Sequence, residues 1–153
     1  MPEMLSTTVD KFTFRVPTDR MYSAEHLWVL PLPGRDPMRV RVGMSDYLQQ
    51  RTGDMAFADV EPAGTRVALG EEFGSVETIK VNLSLACPVA GVIVEINPSL
   101  ETAPEVVNQD PYGEGWLAVL EVPDPEGWKA GLLAPEAYLT QVMTQAEAEV
   151  SAP

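Results

Sequence analysis

Beyond Asp54 the sequence is cut into short apolar stretches, and turn residues stand at almost every cut. Met55 to Val60, Thr65 to Ala68, Glu72 to Ile79, Val81 to Leu85, Val89 to Ile96 and Trp116 to Val122 are each of strand length. Pro62-Ala-Gly64, Leu69-Gly70, Pro88 to Gly91, Asn97-Pro98 and Pro111 to Gly115 punctuate them. Pieces this short are poor helix nuclei but suit strands, whose side chains alternate between two faces. The chain is therefore expected to be mainly β, a barrel or sandwich of short strands. Gly91, set inside an apolar strand, predicts either a bulge or a close approach of two backbones.

Ahead of Asp54 the pattern is mixed. Phe12, Phe14 and Val16 alternate with polar residues and predict a short strand leading into Met21 to Leu30, and Met38 to Val42 alternates again and reads as another. Ser45 is placed to cap a first turn, Asp46 follows it, and Gly53 closes the segment, so a short helix is expected between them. Pro135 suits a first helical position, and Leu139, Val142, Met143 and Ala146 recur at helical spacing, predicting a C-terminal helix with one apolar face on the barrel. Residues 1–10 read as a frayed polar start. The division expected is an N-terminal extension over 1–20, one folded domain over 21–146 and a short tail over 147–153.

At 153 residues and 45% hydrophobic the chain suits a single core. A formal charge of −13 works against nucleic acid and anionic lipid as partners. No apolar run is long enough for a signal-peptide core or a membrane span, so a cytoplasmic location is expected. Cys87, alone of its kind, reads as a small core side chain, and one cysteine with one histidine supplies too few ligands for a closed transition-metal site. The histidine, His26, has no nucleophile signature near it and reads as a structural or rim residue. Neither a phosphate-cradling loop nor a catalytic set is found, and a chain without its own chemistry can still carry a reactive group between enzymes.

Lys80 is the residue placed to do so. It stands between two stretches that read as strands, at the crest of an expected hairpin, while the other lysines, Lys11 and Lys129, lie in ordinary polar settings. A lone amine there is a handle for solvent or for a covalently attached cofactor.

The stretches Glu25-His-Leu-Trp-Val29, Val42-Gly-Met-Ser-Asp-Tyr47, Thr52-Gly-Asp54, Gly70 to Lys80, Pro88 to Asn97 and Val107 to Trp116 resemble the H-protein of the glycine cleavage system in order and spacing. The resemblance runs from about Tyr22 to Tyr138. It implies a lipoyl-domain fold, a barrel-sandwich hybrid with small flanking helices, and lipoic acid in amide linkage on Lys80. Glu77 would then be a recognition handle for the lipoate-attaching enzyme. A protein of this kind is a non-catalytic swinging-arm carrier. Its lipoamide takes an aminomethyl group from the glycine decarboxylase, passes it to the aminomethyltransferase and is reoxidised by lipoamide dehydrogenase. Tethering raises the effective concentration of the arm at each of these sites.

Departures from the family bear on the cargo. Where H-proteins carry an acid beside the first tryptophan, facing the cleft that shelters the loaded arm, this chain has Leu27, and around the lysine it reads Thr78-Ile-Lys-Val81. The alternative is the H-like lipoate-binding protein of bacterial sulfur oxidation, which holds sulfur for a heterodisulfide-reductase-like complex. Biotin is disfavoured because Ile79 and Val81, not two methionines, flank Lys80. A plain interaction module would need no lysine at the crest.

Overall fold

The computed structural model describes residues 2–151. Its first two strands, β1 (Met4–Val9) and β2 (Phe12–Pro17), form an antiparallel hairpin that is a sheet by itself. Then follow β3 (Met21–Tyr22), β4 (Leu27–Leu32), β5 (Arg39–Met44) and helix α1 (Asp46–Thr52). The strand-rich half holds β6 (Met55–Val60), β7 (Arg66–Val67), β8 (Glu72–Thr78), β9 (Asn82–Ala86) and β10 (Gly91–Ile96). Two single-turn helices, α2 (Ser99–Thr102) and α3 (Val106–Gln109), precede β11 (Ala118–Glu121) and the long α4 (Pro135–Ser151).

Six strands pair in the order β3-β4-β5-β11-β10-β7 and three in the order β6-β8-β9. Neither sheet closes on itself, so the expected barrel-sandwich takes the form of an open, sandwich-like fold. Phe73, Val76 and Leu85 of the small sheet share one buried cluster with Leu27, Val42 and Leu120 of the large one. The alternation along β8, with Phe73, Val76 and Thr78 buried and Ser75 and Glu77 exposed, turns one face to this core and the other to water. At Gly91 the second of the two expectations holds: a Cβ there would lie 2.5 Å from the Glu121 carbonyl oxygen, while the β10 irregularity falls between Ile93 and Glu95. Cys87 is buried, its thiol facing the Val89 carbonyl at 3.0 Å, and burial pushes its pKa up to about 11.

Two expectations need correction. Residues 4–9 are strand β1 and not a frayed start. Alone that strand is too polar to fold, but it pairs along its whole length with β2, and the hairpin is then covered by α4. The buried stripe of α4 is also rotated from the expected one. Tyr138, Val142 and Ala146 are buried, whereas Met143 is 38% exposed, because the stacked Tyr22 and Tyr138 rings set which side of the helix faces inward. The same helix runs on to Ser151, through most of the residues read as a tail.

These terminal elements make a second buried cluster. Val9, Phe14 and Val16 from the hairpin meet Tyr138, Val142 and Ala146 from α4, over Tyr22, Trp28 and Tyr47.

Candidate functional site

Lys80 is the middle one of the three residues, Ile79 to Val81, that join β8 to β9, and it is exposed. Glu77 pairs with Asn82 across the last rung of the ladder, and Thr78 N–H donates to the Val81 carbonyl at 2.8 Å. Tight hairpin turns ordinarily use glycine or asparagine at positive φ, yet none of Ile79, Lys80 and Val81 takes a positive φ. The Thr78 hydroxyl holds the turn instead, accepting from Lys80 N–H at 3.2 Å and Val81 N–H at 3.1 Å. The crest is thus a bend fixed by local hydrogen bonds.

Both neighbours of the lysine are apolar and turned to solvent: Ile79 is 95% exposed and Val81 42%. Glu77 is exposed one rung below. None of the ion pairs among the described residues involves Lys80.

The side chain of Lys80 passes over the end of α1. Ser45 caps that helix by accepting from Leu48 N–H at 3.2 Å, and Gly53 ends it at φ +88°. A Cβ on Gly53 would stand 3.0 Å from Lys80 Cε, so the glycine provides both the left-handed turn and the room for the lysine stem. Asn108 fixes this turn from the far side of the sequence. Its amide nitrogen donates to the Gly53 carbonyl at 2.8 Å and its oxygen accepts from Met55 N–H at 2.9 Å. Sequence reasoning counted Asn108 only as part of a motif; its long-range bonds leave no local signal.

Beside the lysine a cleft of about 370 Å³ opens, within the ~300–1,000 Å³ range of small-molecule sites. Tyr47, Gln50 and Arg51 of α1 form its floor, and Lys80 stands among its lining residues. Arg51 pairs with Glu149 of α4 at 2.9 Å, and the Tyr47 hydroxyl donates to the same carboxylate. Burial, reinforced by the Glu149 bond, pushes the Tyr47 pKa up to about 12, so the phenol stays protonated and able to donate.

His26 lies behind this floor and is not a lining residue. It is buried at φ +73°, its ring 4.7 Å from that of Tyr47, with Nδ1 2.8 Å from the Tyr138 hydroxyl. That hydroxyl in turn donates to Ser45 Oγ at 2.6 Å. The histidine is a structural residue joining β4, α1 and α4, as its sequence setting suggests. Leu27, next to it, is 1% exposed and packed in the main core, and it forms no part of the cleft wall.

An open β-sandwich that raises one lysine on a tight hairpin has the form of a lipoyl-type carrier domain. The family model described as glycine cleavage H-protein matches residues 20–145. The glycine cleavage system H protein of Chlorobium limicola is 45% identical over 123 residues, covering 80% of this chain and 94% of that protein. That of Mycolicibacterium smegmatis is 47% identical over 107 residues, 70% of this chain and 79% of its own. A crystal structure of a glycine cleavage system H protein from Mycobacterium marinum superposes with a TM-score of 0.73 at 33% identity, covering 82% of this chain and 98% of that one. The chain belongs to the glycine cleavage H-protein family.

Proposed function

We propose that Lys80 is acylated by lipoic acid and that this chain is the non-catalytic carrier of a glycine cleavage system. The exposed amine at the β8–β9 crest is the observation that carries the reading. It has no ion-pair partner among the described residues, and Gly53 leaves its stem unobstructed, so the position fits an amide-linked arm. Lipoamide there would supply a dithiolane, which opens by reduction to accept cargo and is restored by oxidation. Everything else in the site belongs to the chain. Thr78 holds the crest in its bend, Asn108 and Gly53 keep the ground beneath it clear, and the two sheets hold the hairpin at the edge of the fold.

Glu77, exposed on the same hairpin, is the proposed contact for the lipoate-attaching enzyme. The glycine decarboxylase, the aminomethyltransferase and lipoamide dehydrogenase are the proposed partners of the finished arm. The family membership supports these partners, and the main argument for sulfur cargo weakens with Leu27 inside the core, so nothing favours a heterodisulfide-reductase-like partner. Among the described residues no helix is long and apolar enough to cross a membrane.

The test is intact mass and peptide mapping of protein from its native source, followed by a reconstituted glycine decarboxylation and exchange assay. Lipoyl mass on the Lys80 peptide and full exchange activity are expected. Lys80→Arg keeps the charge but removes the acylatable amine, and should abolish the exchange with an unchanged thermal melt. Activity retained in that variant would overturn the assignment.

A further inference from the structure

Strand β6 exposes an aromatic ring that strict alternation would bury. Met55 is buried and pairs with Thr78, but the register then shifts, so that Phe57 and not Ala56 stands opposite Glu77. The extra residue, Ala56, turns the rest of the strand over: Val60 goes to the core, while Phe57, 66% exposed, and Asp59 face water on the side of Glu77. We infer that Phe57 is the apolar anchor of a docking face for the lipoate-attaching enzyme, which meets it with a basic surface around a nonpolar socket. The inference rests on the proposed lipoylation of Lys80 and gives the enzyme a second, larger contact beside Glu77.

Three observations carry it. First, the ring is aimed outward by the backbone. Without the bulge Phe57 would follow Met55 inward and gain the burial free energy of an aromatic side chain. Instead a large apolar surface is left uncovered beside the last residues of β8. Ile79, two residues beyond Glu77, is 95% exposed, so apolar surface is uncovered at the crest as well.

Second, the ring lines a groove with a defined charge. The groove holds about 500 Å³ between β6 and α2, with Phe57, Asp59 and Glu77 on the sheet side and Leu100, Glu101 and Pro104 on the other. Three carboxylates and no lysine or arginine line it, so its electrostatic complement is a basic surface. Its apolar complement is a nonpolar side chain, the usual centre of an interface with a polar rim. The groove shares no residue with the cleft beside Lys80, whose walls come from the β1–β2 hairpin and α4, so a partner seated on it leaves that cleft free.

Third, the bare amine is reached only from close by. An enzyme that works on the tip of a finished arm can dock at a distance, whereas one that acylates Lys80 itself must bring its centre to the crest. In that step the neutral Nζ attacks the activated carboxyl carbon of lipoate, the amide C–N bond forms, the bond to the activating group breaks with its electron pair leaving on that group, and the nitrogen loses one proton; nothing is oxidised or reduced. Phe57 and Glu77 are paired across the strands that lead to this crest, so a partner gripping them stands beside the amine.

The experiment measures lipoyl transfer to the unmodified chain by the purified attaching enzyme of the same organism, supplied with its activated lipoyl donor and followed by intact mass. Phe57→Ser is expected to lower kcat/KM about tenfold, the scale of losing one aromatic anchor. Glu101→Lys, an exposed change on α2 away from the core, should lower it about threefold at low ionic strength and less in high salt. Leu69→Ser, also at an exposed apolar residue but at the far end of β8, should react like the wild type, and thermal melts of all three should be unchanged. Wild-type rates in both Phe57→Ser and Glu101→Lys would overturn the docking face and leave the carrier reading intact. The same holds if those variants are acylated normally but, once lipoylated, fail in glycine exchange, which would seat a glycine cleavage enzyme on the groove instead. A wild-type chain that takes up no lipoyl mass on Lys80 would remove the carrier reading as well.

Discussion

Replacing His26 by asparagine should flatten the acid side of this protein's stability curve. His26 is buried, and burial is the main cause that lowers its pKa from 6.5 to about 4; Arg51 lowers it further, while the Gln145 side chain and the Glu149 carboxylate pull the other way. The unfolded chain therefore binds the proton more readily than the folded one. Stability is complete above about pH 6.5 and is lost as the pH falls towards 4. With those two values the loss between pH 7 and pH 5 comes to about 2 kcal/mol for this one residue. Asparagine tolerates the left-handed φ of +73° that the position requires, so the variant keeps the turn while removing the titration. Urea unfolding at pH 7, 6 and 5, followed by tryptophan fluorescence, measures the effect as a difference of slopes, in which any pH-independent cost of the substitution cancels. Parallel curves for the wild type and His26→Asn would refute the argument, since they would mean that the imidazole takes up its proton without resistance.

Two further substitutions probe the ground on which Lys80 stands, beside the Lys80→Arg variant above. Gly53→Ala forces a side chain into left-handed backbone against Lys80 Cε, and should cost about 1–2 kcal/mol, read as a drop of about 2–8 °C in thermal midpoint; an unchanged melt would show that the turn relaxes freely. Thr78→Ala removes the hydroxyl that accepts from two crest amides and should cost about 1 kcal/mol. Hydrogen exchange should then quicken at Lys80 and Val81 and not at Phe73 or Val76, and uniform protection would contradict a local role for the hydroxyl.

Much of this arrangement was legible in the chain because its causes are local. The β6, β8 and β9 pattern lies in a few alternating residues, the ends of α1 in Ser45 and Gly53, and the crest in a lysine between two strand-like runs. What escaped depends on distant partners. Met4 to Val9 carries little apolar surface and becomes a strand because β2 pairs with it and α4 covers it. The inner face of α4 is chosen by the Tyr22 ring stacked on Tyr138, so helical spacing alone put Met143 on the wrong side. α2 and α3 are single turns, too short for periodicity to mark. The cleft could not be read at all, since its two walls come from opposite ends of the chain.

That last point bears on how the site is stabilised. The first core lies within the residues matched by the family, but the second needs the hairpin and α4 together, since Val9, Phe14 and Val16 on one side and Tyr138, Val142 and Ala146 on the other bury each other. Each of the two also rests on the aromatic layer beneath, Phe14 on Tyr47 and Tyr138 on Tyr22, and each helps hold the other in position over it. The Arg51–Glu149 pair is half-exposed, which makes it a weak fastening, worth little beside the apolar contacts below it. Loosening either element would therefore also uncover apolar surface on the other, so the two sides of the cleft beside Lys80 are coupled through the core they share.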